Sequence, residues 1–376
     1  MYLDHAATTP MRPEVAVTMA PFARDVFGNS SGIHDVSRRA KNALEEARER
    51  AAAVLGAGPM EIVFTSGGTE ADNLALKGPV FGRSPRTGVV TVATEHEAIL
   101  EATDFLKRIG VPTTLVGVDA EGRVDPAEIA GAVTPETAVV SVMLVNNETG
   151  TIQPVGEVAR AVKEEDPEVL VHTDAIQGFN CIDIDVDVLG VDLVSLSGHK
   201  FGGPKGSGLL YVRDGVHLEP VQHGGGQELG RRSGTHDVAS AVGLATAMEL
   251  ASADRERFRD EIGPMRDHFH DLIAGGIDDV VSNTPAGARS PHHLNVRLPG
   301  VSNQVLLMRL DRAGVFASAG SACQSGAATV SHVLEAMGLT ADQARECVRF
   351  SFGWTSNEEE AELAAKTVIE LAGELR

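Results

Sequence analysis

The feature that most limits the fold of this chain is a series of short apolar runs separated by helix-patterned stretches. Ile62-Val63-Phe64, Val89 to Val92, Val139 to Val145, Val169 to Val171 and Val191 to Val194 read as buried strands, since none alternates polar with apolar residues. Between them the pattern is helical. From Asp35 to Leu55 apolar residues recur at Val36, Ala40, Ala43, Leu44, Ala47, Ala51, Val54 and Leu55, with Arg and Glu outside and Gly56 at the end. This alternation through residue 212 predicts an α/β architecture with a large, mostly parallel sheet covered on both faces. Ligands of such a fold sit at the carboxyl ends of the strands.

The residues that follow these runs are polar. Val191 to Val194 breaks into Ser195-Leu196-Ser197-Gly198-His199-Lys200-Phe201-Gly202-Gly203-Pro204-Lys205-Gly206. Alone, that segment is either a surface lysine in a glycine loop or an amine held past the end of a buried strand. In the second case desolvation destabilises the ammonium and frees the amine to form a Schiff base. The upstream run favours the second, because it delivers Asp174 and Gln177 to its own end. An Asp for a pyridine nitrogen and a Lys for an aldehyde are the two protein groups that pyridoxal phosphate chemistry requires. The run at Phe64 opens into Thr65-Ser66-Gly67-Gly68-Thr69-Glu70, where N–H groups at a helix start suit a phosphate, although an ordinary capped helix has the same look. His96 follows the second of these runs, and Asn146-Asn147-Glu148-Thr149-Gly150 follows the third. By itself a lone His after a strand is more often structural, and the Asn residues are open to a plain turn reading.

Composition excludes several classes. With 32 Lys and Arg against 53 Asp and Glu, the net charge of −21 argues against direct nucleic-acid binding. Three cysteines, Cys181, Cys323 and Cys347, are too few and scattered for a disulfide framework, which fits a reducing cytoplasm. No signal-peptide pattern and no apolar run of membrane-spanning length is present, so a cytoplasmic protein without membrane contact is expected. His292-His293 has no further ligand spacing, and no metal is expected. Gly28-Asn29-Ser30-Ser31-Gly32 formally fits a hydrolase nucleophile elbow, but Phe22 to Phe27 is a poor strand and no acid and His follow in order. Gln222 to Gln227 contains a His-Gly-Gly-Gly run, which means little without an elbow.

Taken together, the motifs resemble the cysteine desulfurases of the NifS/IscS type, within the aminotransferase-like fold type I enzymes. The likeness runs from Tyr2-Leu3-Asp4-His5-Ala6-Ala7-Thr8-Thr9-Pro10 through Phe64 to Glu70 and on to Arg349-Phe350-Ser351-Phe352-Gly353. It implies a large pyridoxal 5'-phosphate domain over 16–257 and a smaller α+β domain over 258–376, completed by 1–15. That smaller domain ends in a helix capped by Asn357 and striped by Leu363, Ala364, Val368, Ile369, Leu371 and Leu375.

The resemblance also implies roles. Lys200 carries the cofactor and Asp174 pairs with its ring nitrogen. Gly68 and Thr69 hold its phosphate. His96 stacks on the ring and moves protons. Asn147 lies near the phenolic oxygen and the substrate carboxylate. Gln177, Ser197 and His199 complete the cofactor site, and Arg349 takes the carboxylate of L-cysteine. Thr235, in Arg231-Arg232-Ser233-Gly234-Thr235, reaches the cofactor of the partner in a homodimer. Cys323, in a loop of small residues from Ala317 to Ala328, becomes a persulfide and passes its sulfur to an acceptor protein, while Cys181 and Cys347 read as core. The sulfur then serves iron–sulfur clusters, tRNA thiolation or DNA phosphorothioation. Against this stand a selenocysteine lyase, an aminotransferase, and a scaffold on an inactive fold of the same type.

Overall fold

The computed structural model describes residues 1–82, 85–320 and 330–376. Among them, one sheet contains β1 (Ile62–Thr65), β2 (Gly88–Val92), β3 (Thr113–Val116), β4 (Thr137–Ser141), β5 (Leu170–Asp174), β6 (Leu193–Ser197) and β7 (Gly208–Val212). Their order is β1-β7-β6-β5-β4-β2-β3. Only β7 runs against its neighbours, and the other pairings are parallel. Every strand except β3 is buried end to end, as runs without alternation predict, whereas β3 at the edge exposes Thr114 and Leu115.

Successive residues of a strand face opposite sides, so each run feeds two layers. Val89, Leu193 and Leu210 pack with Leu74 and Leu76 of helix Gly68–Gly82 and with Ile99 and Leu106 of helix Glu97–Arg108. Val90, Val194 and Leu209 pack with Leu44 of helix Asp35–Leu55 and with Leu244 and Met248 of helix Val238–Ala253. Helix Asp35–Leu55 has the bounds its pattern predicts. The His34 side chain accepts the Ser37 N–H at its start, and Gly56 ends it at φ 68°, a left-handed conformation that costs glycine little.

The apolar run from Val139 predicts a strand reaching Val145, and the ladder instead closes at Ser141. Val142 and Leu144 still donate to the carbonyls of His172 and Asp174, at 3.1 and 2.8 Å, and Val145 bridges Ile152. The segment thus keeps its place beside β5 while turning toward Asn146.

A second, antiparallel sheet contains β8 (Val281–Ser282), β9 (His293–Arg297) and β10 (Cys347–Ser351) in the order β10-β9-β8. Its core joins Phe269, Leu306, Phe350, Phe352 and Val368 to Leu3. The first residues reach this sheet, with Tyr2 bridging Phe316 and Asp4 bridging Ser351. At residues 257 and 258 the chain is helical rather than a linker, since Val238–Ala253, Arg255–Arg257, Phe258–Ile262 and Gly263–Gly276 follow one another. The final helix, Glu358–Leu375, starts with the Asn357 side chain accepting the Glu360 N–H.

Candidate active site

The carboxyl ends of β1, β2, β4, β5 and β6 converge on one cavity of about 200 Å³. Gly68, Thr69, His96, Asn147, Asp174, Gln177, Ser197, His199 and Lys200 line it, together with Asp72. A smaller cavity of about 80 Å³ shares Ala7, His96, Asn147 and Lys200 with it and adds Glu148, His332 and Arg349.

Lys200 ends the short turn Gly198–Lys200 that follows β6, and its Nζ donates to the carbonyls of Ala6 and Ala7 at 2.6 and 3.0 Å. The Gln177 side-chain amide donates to the same Ala6 carbonyl at 2.8 Å. Asp174, the last residue of β5, accepts the Ile176 N–H at 2.9 Å. Burial pushes its carboxyl up to about 6, opposed by that N–H and by the charge on Lys200. Behind it, Asp72 is fully buried, and its carboxyl is driven well above the usual range by desolvation and by Asp174. Glu95 is raised for the same two reasons. His172 lies between the hydroxyls of Ser141 and Ser195, 2.9 Å from each, and burial lowers its pKa to about 3.

His96 caps helix Glu97–Arg108, its Nδ1 accepting the Ala98 N–H at 3.1 Å. Burial, and then the charge on Lys200, hold it neutral with a pKa of about 4. His199 is lowered to about 4 by burial and then by Lys200 and Lys205, with its Nδ1 3.1 Å from the Thr8 hydroxyl. Arg349, 2% exposed on β10, donates to the Asn147 carbonyl at 2.8 Å and to Asp4 at 2.7 Å. Its Nε has no hydrogen-bond partner among the described residues. A substrate carboxylate at Arg349 would therefore share the guanidinium with Asp4.

Thr235 stands apart. It lines a different cavity with Ser66, Gly206, Arg232 and His236, and the Arg232 Nε is 2.7 Å from Glu70 of the Gly68–Gly82 helix. Cys323 lies outside the described residues. Cys181 and Cys347 are buried free thiols. His292 and His293 are buried and neutral, and among the described residues no group of side chains could hold a metal ion.

The sequence shows no acid and His for Ser30, and the structure supplies both. Its hydroxyl is 2.8 Å from His236 Nδ1, and His236 Nε2 is 2.9 Å from Glu228. Arg48 grips Glu228 in two hydrogen bonds of 2.8 and 2.9 Å, however, and Ser30 is buried. The row is a closed structural network rather than a hydrolase triad.

Three side chains near the cavity were missed from the sequence. Asp72 lies three residues past Thr69, hence on the same helix face, and that spacing would have found it. Glu148 adjoins Asn147 and could have been found by adjacency. His332 gave no local signal.

A family model, aminotransferase class-V, matches residues 1–363. The chain belongs to the class-V aminotransferase family. It is 41% identical over 377 aligned positions to the cysteine desulfurase IscS of Dictyoglomus turgidum, covering 100% of this chain and 95% of the relative. Among solved structures, a NifS-like protein superposes with a TM-score of 0.92 at 36% identity, covering 99% of each chain. SspA in complex with cysteine gives 0.83 at 37% identity, over 93% of this chain and 98% of that one. Members of this family work with pyridoxal 5'-phosphate. The cavity has polar groups that fit the cofactor: an amine, a buried acid, the N-terminus of helix Gly68–Gly82, and the Asn147 side chain, whose buried Oδ1 has no hydrogen-bond partner among the described residues. A Cβ at Gly68 would collide with Ile176, which keeps the backbone there close to the cavity.

Proposed function

We infer that the protein is a pyridoxal phosphate-dependent cysteine desulfurase, taking sulfur from L-cysteine, releasing L-alanine and carrying the sulfur as a persulfide on Cys323. The observation that carries this reading is the meeting of Lys200, Asp174 and His96 at the strand ends, with Arg349 in the adjoining cavity. When bound, the cofactor supplies an electron sink that weakens the bonds at the substrate's Cα and Cβ. Asp174 would hold the proton of the ring nitrogen, and the Gly68 and Thr69 N–H groups would hold the phosphate. Gln177, Ser197 and His199 would fix the ring, with neutral His96 against its face.

Arg349 and the Asn147 side chain would orient the substrate carboxylate, and Lys200 Nζ would take the Cα proton as a general base. Thr235 lies away from its own subunit's cavity, which supports a homodimer in which it reaches the partner's cofactor. Two apolar cores support a division into a larger and a smaller domain near these bounds (16–257, and 258–376 with 1–15), although Val15 packs in the larger core and Cys181 in the smaller. We place the sulfur with an acceptor protein that feeds iron–sulfur clusters, tRNA thiolation or DNA phosphorothioation. The net charge of −21 leaves nucleic-acid contact to that acceptor. No described helix is long and apolar enough to cross a membrane, and the buried thiols Cys181 and Cys347 suit a reducing cytoplasm.

The test is purified protein with L-cysteine, following alanine and sulfide together. Wild type should yield both in equal amounts and Cys323→Ala almost none. Robust sulfide from that variant removes Cys323 from its role.

A further inference from the structure

A separate cavity of about 590 Å³ lies where the turn after β3 meets the second sheet. Glu121 lines it from that turn, and Val281, Asn283, Arg297, Met337 and Leu339 line it from the sheet and the segments around it. No described residue of its walls belongs to either cavity of the active site. Its size is that of a small-molecule pocket, about 300–1,000 Å³.

Arg297 ends β9, and its Nε is buried without a hydrogen-bond partner among the described residues. Glu346, the acid paired with it, is 3.9 Å from that Nε, beyond hydrogen-bond reach. The other oxygen of Glu346 accepts the Gly300 N–H at 2.8 Å. A guanidinium keeps its charge and offers five donors in a planar fork, so this one has capacity left for an oxyanion. Arg289, the second guanidinium of the cavity, is taken by both oxygens of Asp267, at 3.1 and 3.2 Å. Glu121 is the only acid among the described lining residues. At the active site Arg349 leaves its Nε open in the same way.

The wall around this arginine is fixed. Asn283 Nδ2 donates to Asn295 Oδ1 at 2.8 Å, and Asn295 Nδ2 donates to the Glu148 carbonyl at 3.4 Å. The Thr284 hydroxyl donates to the Thr149 carbonyl at 2.8 Å, so the wall is tied to the turn that carries Asn147. Val281, Met337 and Leu339 add apolar surface. An apolar pocket with one unmet charge suits a ligand with an apolar body and an ionic end. We propose that this cavity is a second ligand site, taking the carboxylate of a small organic acid on Arg297 and its apolar body against Val281, Met337 and Leu339. The planar fork holds both carboxylate oxygens. The proposal is independent of the desulfurase reading, since the two sites share no described residue.

The probe is hexanoate, added to the cofactor-loaded protein and followed through the methyl resonance of Met337. Hexanoate should bind saturably. Hexanamide, the uncharged amide of the same length, should bind at least about 10-fold more weakly, because it forgoes charge-assisted hydrogen bonds. Arg297→Met should weaken hexanoate by a similar factor. Inorganic phosphate has charge but no apolar body, and it should bind more weakly than hexanoate. No saturable shift, equal binding of hexanoate and hexanamide, or an unchanged dissociation constant in Arg297→Met overturns the proposal. Phosphate binding as tightly as hexanoate overturns the organic acid as its ligand. Should Arg297→Met fail to fold, Val281→Glu takes its place. It sets a like charge in the cavity from an exposed strand position and should weaken hexanoate about 10-fold. Wild-type affinity in that variant is equally fatal.

Discussion

Glu228 and Asp174 are each 4% exposed, and their carboxyls move in opposite directions. Burial pushes Glu228 up, but His236 and the two-pronged grip of Arg48 outweigh it and bring its pKa to about 2. The Phe64 N–H adds a further hydrogen bond at 3.0 Å. Asp174 has the same exposure and, among the described residues, no cation in salt-bridge contact, so its pKa rises to about 6. Its neighbours Asp72 and Glu95 are acids raised in the same way, and His172 is neutral. Burial alone therefore does not distinguish scaffold from site. Glu228 has its cation within the fold, whereas the Asp174 cluster keeps acids at a cavity wall, where a ligand can supply the compensating charge.

The largest expected effect attacks the closed network. Arg48→Ala leaves Glu228 buried without its cation and should cost about 3–5 kcal/mol of unfolding free energy in denaturant titrations. A cost below about 1 kcal/mol would show that Glu228 is not held as an anion.

Next comes the pH dependence of stability in protein stripped of cofactor. Asp174 has a folded pKa of about 6, above the unfolded value of about 3.9. Its contribution is therefore fully present below the unfolded value and is lost as pH rises through 6. Glu228 behaves oppositely, since its contribution is present above the unfolded value of about 4.3 and is lost as pH falls toward 2. Denaturation midpoints across these windows should show both slopes. Asp174→Asn should flatten the upper one and Glu228→Gln the lower one, and a shared effect of either variant on both windows would dissolve the contrast.

Smaller still, Ser141→Ala removes one hydrogen bond from His172 and should cost about 1 kcal/mol by thermal or denaturant unfolding. Asp72→Asn replaces a buried acid whose pKa is raised well above the usual range by an amide of the same shape, and should change stability by less than about 1 kcal/mol. A loss as large as that of Arg48→Ala would mean that Asp72 is ionised, and the comparison would fail.

The strand ends were legible in the sequence because each apolar run stops where the polar chemistry begins. Asp174, His199 and Lys200 follow directly from that pattern, and helix Asp35–Leu55 from its period and its glycine. Contacts between distant segments were not legible. Asp4 meets Arg349, Glu228 meets Arg48, and Ser30 meets His236 through tertiary folding, which no local period encodes. The same reason hid His332, whose place beside Lys200 and His96 depends on a buried glutamate from another strand end. The end of β4 was misjudged because apolar character continues to Val145 while the ladder stops at Ser141.

Asp4 and Arg349 are separated by 345 positions, and Lys200 donates to Ala6 and Ala7, two and three residues past Asp4. On a ribosome adding roughly 5–20 residues per second, the two ends of this contact emerge tens of seconds apart. The earliest residues must wait, without their partners, until β10 leaves the exit tunnel. A nascent chain stalled before residue 349 has Lys200 and Asp174 but lacks the pairing that fixes the floor of the pocket. A chain stopped before residue 349 is thus expected to bind the cofactor more weakly than the full chain, which absorption of the two would compare.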